Sequence, residues 1–188
     1  MGSRRACTIR RPPLARTPMA TLHIVKYPHE SLTTPAAPVE AFDEELGSFL
    51  DDMAETMYAA RGVGLAANQV AALRRVAVID IAGDDEPSQL LELVNPTVVT
   101  RDGSITWEEG CLSFPELYEK IKRAGRVTVR YQDRTGAEHE IEGEGLLAVA
   151  LQHEIDHLDG VLFIDRVGPV TRRRALARYE HAVAKRRA

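Results

Sequence analysis

The sequence predicts an α+β fold. A single domain should set antiparallel or mixed strands around a central HExxH helix, with one helix before the strands and another after them. Three observations carry this. Apolar residues recur at helical spacing over residues 42–60, strand-like runs cluster between residues 74 and 144, and a second helical run spans residues 145–159. Strands gathered between helices and joined by hairpin-type turns argue for α+β rather than for alternating βαβ units. The 188 residues fit one domain with one substantial core. A composition of 44% apolar and 28% charged residues is that of an ordinary globular chain.

Taken in order, residues 1–20 are set aside from the fold. They hold five arginines and no acid, and Pro12-Pro13 would interrupt any amphipathic helix. The segment reads as a tag or an upstream start ahead of Met19; an arginine-rich transit peptide is the alternative. Residues 21–41 contain Pro28, Pro35 and Pro38 and should form an extended stretch wrapping the body. In residues 42–60, Phe42, Leu46, Phe49, Leu50, Met53 and Met57 share a helical face, and Asp43, Glu44 and Glu45 sit where a helix N-terminus favours negative charge. The glycines of RGVGLAANQV (61–70) end that helix. RRVAVIDIA (74–82) and LLELVNPTVV (90–99) read as strands, and RVTVRYQD (126–133) and EHEIEGE (138–144) as a hairpin around RTGA. The second helix should stop at Gly160, a residue suited to the left-handed position. A third, basic helix follows Pro169, so the chain divides as extension 1–20, catalytic body 21–168 and basic helix 169–188.

Charge and cysteine content narrow the function. Without the tail's five arginines, 19 Lys and Arg face 28 Asp and Glu, and so acidic a body is a poor general nucleic-acid binder, DNA included. No apolar run approaches the roughly 20 residues that span a bilayer. Residues 171–188 are the exception, with seven Lys and Arg and a single acid, Glu180. Of the two cysteines, Cys7 lies in the tail, so a disulfide with Cys111 is not expected.

The chemistry concentrates in LQHEIDHLDG, residues 151–160. His153 and His157, four apart, lie on one face of the helix and can share a metal ion, and Glu154 can reach a water on that ion. Two histidines leave a catalytic site one protein ligand short. Phe163 stands where a metzincin would place its third histidine, and Glu180 is the remote acid a zinc endopeptidase would need. Upstream, WEEGCLSFPE (107–116) presents Cys111, which alone would read as a small buried hydrophobe or a free thiol. Beside HExxH its thiolate would complete a Cys/His/His set.

The segments GVGLAANQV, EGCLS and QHEIDHLDG, in this order, resemble those of peptide deformylases, and the similarity runs from about Leu22 to Val167. The resemblance implies removal of the formyl group from the N-terminal methionine of new polypeptides. It implies Cys111, His153 and His157 as ligands of one divalent metal, most often Fe2+, with Zn2+, Ni2+ or Co2+ accepted. Glu154 would be the general base, and the Gln69 side-chain amide and Leu112 N–H the oxyanion donors. Val63, Gly64 and Gly110 would bind an extended peptide, and Leu146, Val149 and Ala150 would line the methionine pocket. Many relatives carry proline where Asn68 stands and a basic residue where Tyr118 stands. Asn68 is therefore expected to loosen the Gln69 loop, and Tyr118 to alter how the peptide beyond methionine is held. The basic helix reads either as a solvated face or as a dock on ribosomal RNA near the nascent-chain exit. A bacterial cytoplasm is the expected location if residues 1–18 are not native.

Overall fold

The computed structural model describes residues 21–83 and 86–187. The N-terminal extension, with Cys7 and the expectations attached to it, lies outside these residues. The first helix, α1, spans Glu44–Ala59; Asp43 caps it by accepting the Leu46 N–H at 3.0 Å. Leu46, Leu50, Met53 and Met57 are fully buried on one face, so both methionines are core residues.

That face packs on a five-stranded antiparallel sheet. Its strands are β1 (Gly64–Ala66), β2 (Val76–Ile79), β3 (Leu91–Asp102), β6 (Arg126–Gln132) and β7 (Glu138–Glu144), in the order β1-β2-β3-β6-β7. The run VAVI of β2 lacks polar alternation because both its faces are covered. Val76 and Val78 meet α1, while Ile79 meets the second helix, α2 (Gly145–Leu158). Pro96 is tolerated in β3 because it lies within a bulge, between the paired residues Val94 and Thr97. There Asn95 takes a left-handed conformation (φ 52°) and bonds both the Val39 N–H and its carbonyl.

Three strands escaped the sequence reading. β1 is only three residues long. The other two, β4 (Ile105–Cys111) and β5 (Phe114–Arg123), form a separate two-stranded ribbon whose exposed positions are heavily charged. The ribbon's inner residues Phe114, Leu117 and Ile121 make a second core with Phe163 and Ile164, and with Ala175 and Tyr179 of α3 (Pro169–Arg187). The C-terminal helix is thus packed on the body. Arg178 and Arg186 pair with Glu119 and Glu116 of β5, and Arg172 with Asp165 at 2.7 Å.

Residues 21–41 wrap the outside in largely extended form, as their prolines predict. Ala36 N–H donates to the Leu158 carbonyl, Ala37 N–H to Leu73 and Arg75 N–H to Ala37, each at 2.8 Å. Asn68, expected to loosen its loop, does the opposite. It is fully buried, its side-chain amide N–H donates to the Thr34 carbonyl at 2.7 Å and the Ser31 carbonyl at 3.2 Å, and its main-chain carbonyl accepts from Ser31 Oγ at 2.8 Å. A proline would stiffen the loop from within, whereas Asn68 ties it to the wrapping segment.

Helix α2 runs through the middle of the molecule, buried from Ala148 to Leu158. It ends in a Schellman turn: the Gly160 N–H bonds the His157 carbonyl at 2.9 Å and Val161 N–H the Asp156 carbonyl at 2.8 Å. Gly160 has φ +73°, and a Cβ there would lie 2.8 Å from the Thr33 carbonyl oxygen. Gly160→Ala is therefore expected to destabilise the fold by at least about 1–2 kcal/mol. Urea denaturation would register it as a lower midpoint at unchanged slope.

Candidate active site

On α2, His153 and His157 project from the same face with ring centroids 5.0 Å apart. The ribbon brings Cys111, the last residue of β4, against them, its Sγ 3.2 Å from His157 Nε2. One ligand atom from each of the three lies within 4.8 Å of the others, and this is the only such cluster among the described residues. Glu180, the third ligand an endopeptidase would need, sits exposed on α3 outside the cluster.

The surroundings suit a dication. His153 Nδ1 lies 2.8 Å from Glu109 Oε2, which leaves Nε2 for a metal. Burial alone would lower the His153 pKa; hydrogen bonds with Cys111 and Glu109 and the charge of Glu154 outweigh it and hold it well above the usual histidine value. Positive charge is favoured at that point, and a metal ion would satisfy the same acceptors. Burial and the neighbouring charge of His153 push His157 well below its usual value, so it is a neutral imidazole, the form that ligates. Its Nδ1 and the Oε2 of Glu154 are buried without a protein partner. A soft thiolate with two imidazoles is a donor set for iron, zinc, nickel or cobalt. The residues present fit the group.

Behind the ligands lies a network that the sequence did not disclose. Arg123, at the end of β5, forks onto Glu109 with bonds of 2.7 and 2.9 Å and also pairs with Asp156 of α2. Arg166 donates to both oxygens of Asp156 and shares Oδ2 with Arg123. Burial would raise the Glu109 pKa, but hydrogen bonds from Arg123 and His153 hold it at about 2. Asp156 carries the one available signal: a carboxylate inside a buried helix requires a partner. Nothing local in the sequence points to Arg123 as that partner.

Glu154 lies on the opposite side, at the cleft. Burial pushes its carboxyl up to about 7, against the opposing charges of His153 and Arg123. The side chain fits only because residue 64 is glycine; a Cβ there would come within 2.4 Å of Glu154 Oε1. Gln69 is buried rather than solvated, and its orientation is fixed: Oε1 accepts the Ala66 N–H at 2.8 Å, so Nε2 turns towards Cys111 Sγ at 3.5 Å and Ser113 Oγ at 3.4 Å. Leu112 begins the turn between β4 and β5.

These groups open onto a cleft of about 480 Å³, a size suited to a small ligand or peptide end. Val63, Gly64, Gly110, Leu112, Leu146, Val149 and Ala150 all line it. The Asp80 N–H donates to the Val63 carbonyl at 3.0 Å, which commits that carbonyl to the sheet. Gly64, opposite Ile79, therefore falls at the alternate antiparallel position, and its own N–H and C=O turn away from β2 towards the open edge. Tyr118 stands exposed on the cleft rim over Gly110, where a Cβ would meet its ring at 2.6 Å.

A cysteine sulfur on a ribbon, two imidazoles on a buried helix and an unligated carboxylate beside them define a metallohydrolase centre. The sequence profile of the Polypeptide deformylase family matches residues 21–173. A peptide deformylase of Syntrophobacter fumaroxidans is 54% identical over 154 residues, covering 82% of this chain and 91% of that protein. One from Helicobacter hepaticus is 48% identical, covering 83% and 88%. Among solved structures, a peptide deformylase from Legionella pneumophila superposes with a TM-score of 0.83 at 46% identity, covering 89% of this chain and 98% of that one. One from Synechococcus elongatus, in complex with actinonin, superposes at 0.80 with 39% identity, covering 88% and 89%. The chain belongs to the polypeptide deformylase family, and it is a metal-dependent hydrolase.

The Glu109 contact generates a prediction. Glu109→Gln keeps a hydrogen-bond partner for His153 but removes the charge, and metal affinity is expected to fall about 10–100-fold. Competition with a chromophoric chelator, with circular dichroism to verify the fold, measures it.

Proposed function

We infer that this chain hydrolyses the formamide bond of N-formylmethionyl peptides, releasing formate and the free amine. The observation that carries the reading is the Cys111/His153/His157 cluster beside an unligated, buried Glu154. Cys111, His153 and His157 would hold one divalent ion, with Fe2+ the occupant proposed in the cell. When bound, that ion supplies Lewis acidity, bringing a water nucleophile within reach of neutral pH.

The chain's own residues do the rest. The peptide lies extended between the edge of β1 at Gly64 and the edge of β4 at Gly110, as an added strand. Glycine at both positions admits the close approach of its backbone. The methionine side chain enters the apolar pocket of Leu146, Val149 and Ala150, where one methylene more or less changes discrimination by about 1–3 kcal/mol. Glu154 takes the proton of the attacking water and returns it to the departing nitrogen, so one carboxylate serves both transfers. The Gln69 amide and the Leu112 N–H donate to the formyl oxygen as it gains charge. The orientation of Gln69 supports this, since its carbonyl is already occupied by Ala66. Tyr118 on the rim is the residue proposed to set preference beyond methionine.

The endopeptidase reading receives no support, because Glu180 is exposed on α3 and is not part of the cluster. The substrate class favours a bacterial cytoplasm, and no described helix is long and apolar enough to cross a membrane.

Formate release from formyl-Met-Ala-Ser by protein purified without oxygen tests the reading. Glu154→Ala should lower kcat by about 10²–10⁴-fold with metal content unchanged. Gly64→Ala should do likewise by displacing the same carboxylate, whereas Cys111→Ser should lose the metal. A folded, metal-loaded wild type that released no formate would sink the proposal.

Docking of α3 on ribosomal RNA is proposed through Arg173, Arg174 and Lys185. These are exposed and not among the residues paired to the body. Reversing all three to glutamate is expected to abolish cosedimentation with ribosomes at low salt, with formate release intact. Undiminished cosedimentation would return the helix to a merely solvated face.

A further inference from the structure

Three contacts made by consecutive residues near the N-terminus converge on the reacting centre. The Val25 N–H donates to the carbonyl of Gln69 at 2.8 Å, and the Tyr27 N–H to the carbonyl of Ser113 at 3.1 Å. Between them, the Lys26 side chain lines the cleft, and its Nζ donates to the carbonyl of Leu112 at 2.6 Å. Residues 25–27 thus tie together the two loops that carry the oxyanion donors, which are more than 40 positions apart in sequence.

The Lys26 contact has a second consequence. The Leu112 carbonyl and the Ser113 N–H belong to one planar peptide unit and point in opposite directions. The Ser113 N–H is directed at Cys111 Sγ, 3.4 Å away. A cation bonded to the oxygen of that unit polarises it and makes its N–H the stronger donor. The sulfur therefore receives two donors, Gln69 Nε2 and a Ser113 N–H reinforced from behind.

We propose that Lys26 is a positioning residue of this site: by clamping the Leu112 carbonyl it aims the Ser113 N–H at Cys111, drawing charge from the thiolate, and fixes where the Leu112 N–H stands. Hydrogen bonds to a ligating thiolate reduce the charge it gives the metal, so the ion stays the stronger Lewis acid. Removing the clamp leaves the peptide site and Glu154 in place, so turnover suffers and substrate affinity does not. The proposal rests on the deformylase reading for its kinetic half only.

The test uses full-length protein loaded with Co2+, comparing wild type with Lys26→Met and Lys26→Arg. In Lys26→Met the sulfur-to-cobalt charge-transfer band should move to longer wavelength, because the sulfur electrons are less stabilised. With formyl-Met-Ala-Ser, kcat should fall about 10-fold and KM should stay within roughly twofold. Lys26→Arg keeps a charged donor and should restore both. A band at the wild-type position in Lys26→Met overturns the proposal, even if the melting temperature drops, since that pattern marks a purely structural tie. If Lys26→Met does not fold, Lys26→Gln, a neutral amide, carries the same measurement. If the wild type itself released no formate, the deformylase reading would fail, while the band would still decide the role of Lys26 at the sulfur.

Discussion

A helix that carries two imidazoles and two carboxylates through the middle of a core must have a counter-charge at each buried ionised group. The Arg123 fork onto Glu109, shared with Asp156, meets that requirement here. Losing one member of such a buried set costs about 3–5 kcal/mol, because the partner is left charged and dry. The same guanidinium keeps Glu109 ionised, Glu109 orients His153, and His153 presents its free nitrogen to the metal position. Stability and chemistry are held by one set of bonds. Glu154 differs: its Oε2 is buried with no hydrogen-bond partner among the described residues, and burial holds its carboxyl above the usual range.

Two strand edges face this centre. Among the described residues β1 ends the five-stranded sheet and β4 pairs only with β5, so each offers an unpaired backbone edge to the same cleft. In the proposed binding mode an extended peptide would satisfy both edges at once. Both strands are short and carry a glycine at the cleft, Gly64 in β1 and Gly110 in β4, and short edges limit pairing with other chains. In that proposal discrimination falls to the apolar cleft wall that α2 supplies through Leu146, Val149 and Ala150, next to His153.

The outer segments hold the loops in place. Residues 21–41 bond to the Gln69 loop, the Leu112–Ser113 turn and the end of α2, and Asn68 returns two bonds to them. On the other flank, α3 buries Ala175 and Tyr179 against the ribbon that carries Cys111. Three of its arginines are paired to the body, so the positive charge it offers to a partner is smaller than its sequence suggests.

Local chemistry made much of this legible in the sequence alone. The α1 repeat, the hairpin of β6 and β7, the Gly160 stop and the HExxH spacing each depend on residues within a few positions, where periodicity and turn chemistry act. The ordered motifs around Gln69, Cys111 and His153 pointed to the family and to the composition of its cleft. The ribbon was not legible, because its charged alternation reads as loop until a partner strand and α3 cover one face. Arg123 and Lys26 were not legible either. A charge on an isolated strand looks solvated, and only the packing of β5 and of the N-terminal segment against α2 and the Leu112 turn brings each to its partner. The sequence by itself determined which groups could do the chemistry. The tertiary structure decided how they are charged and aimed, because burial and counter-charge arise between segments that are distant along the chain.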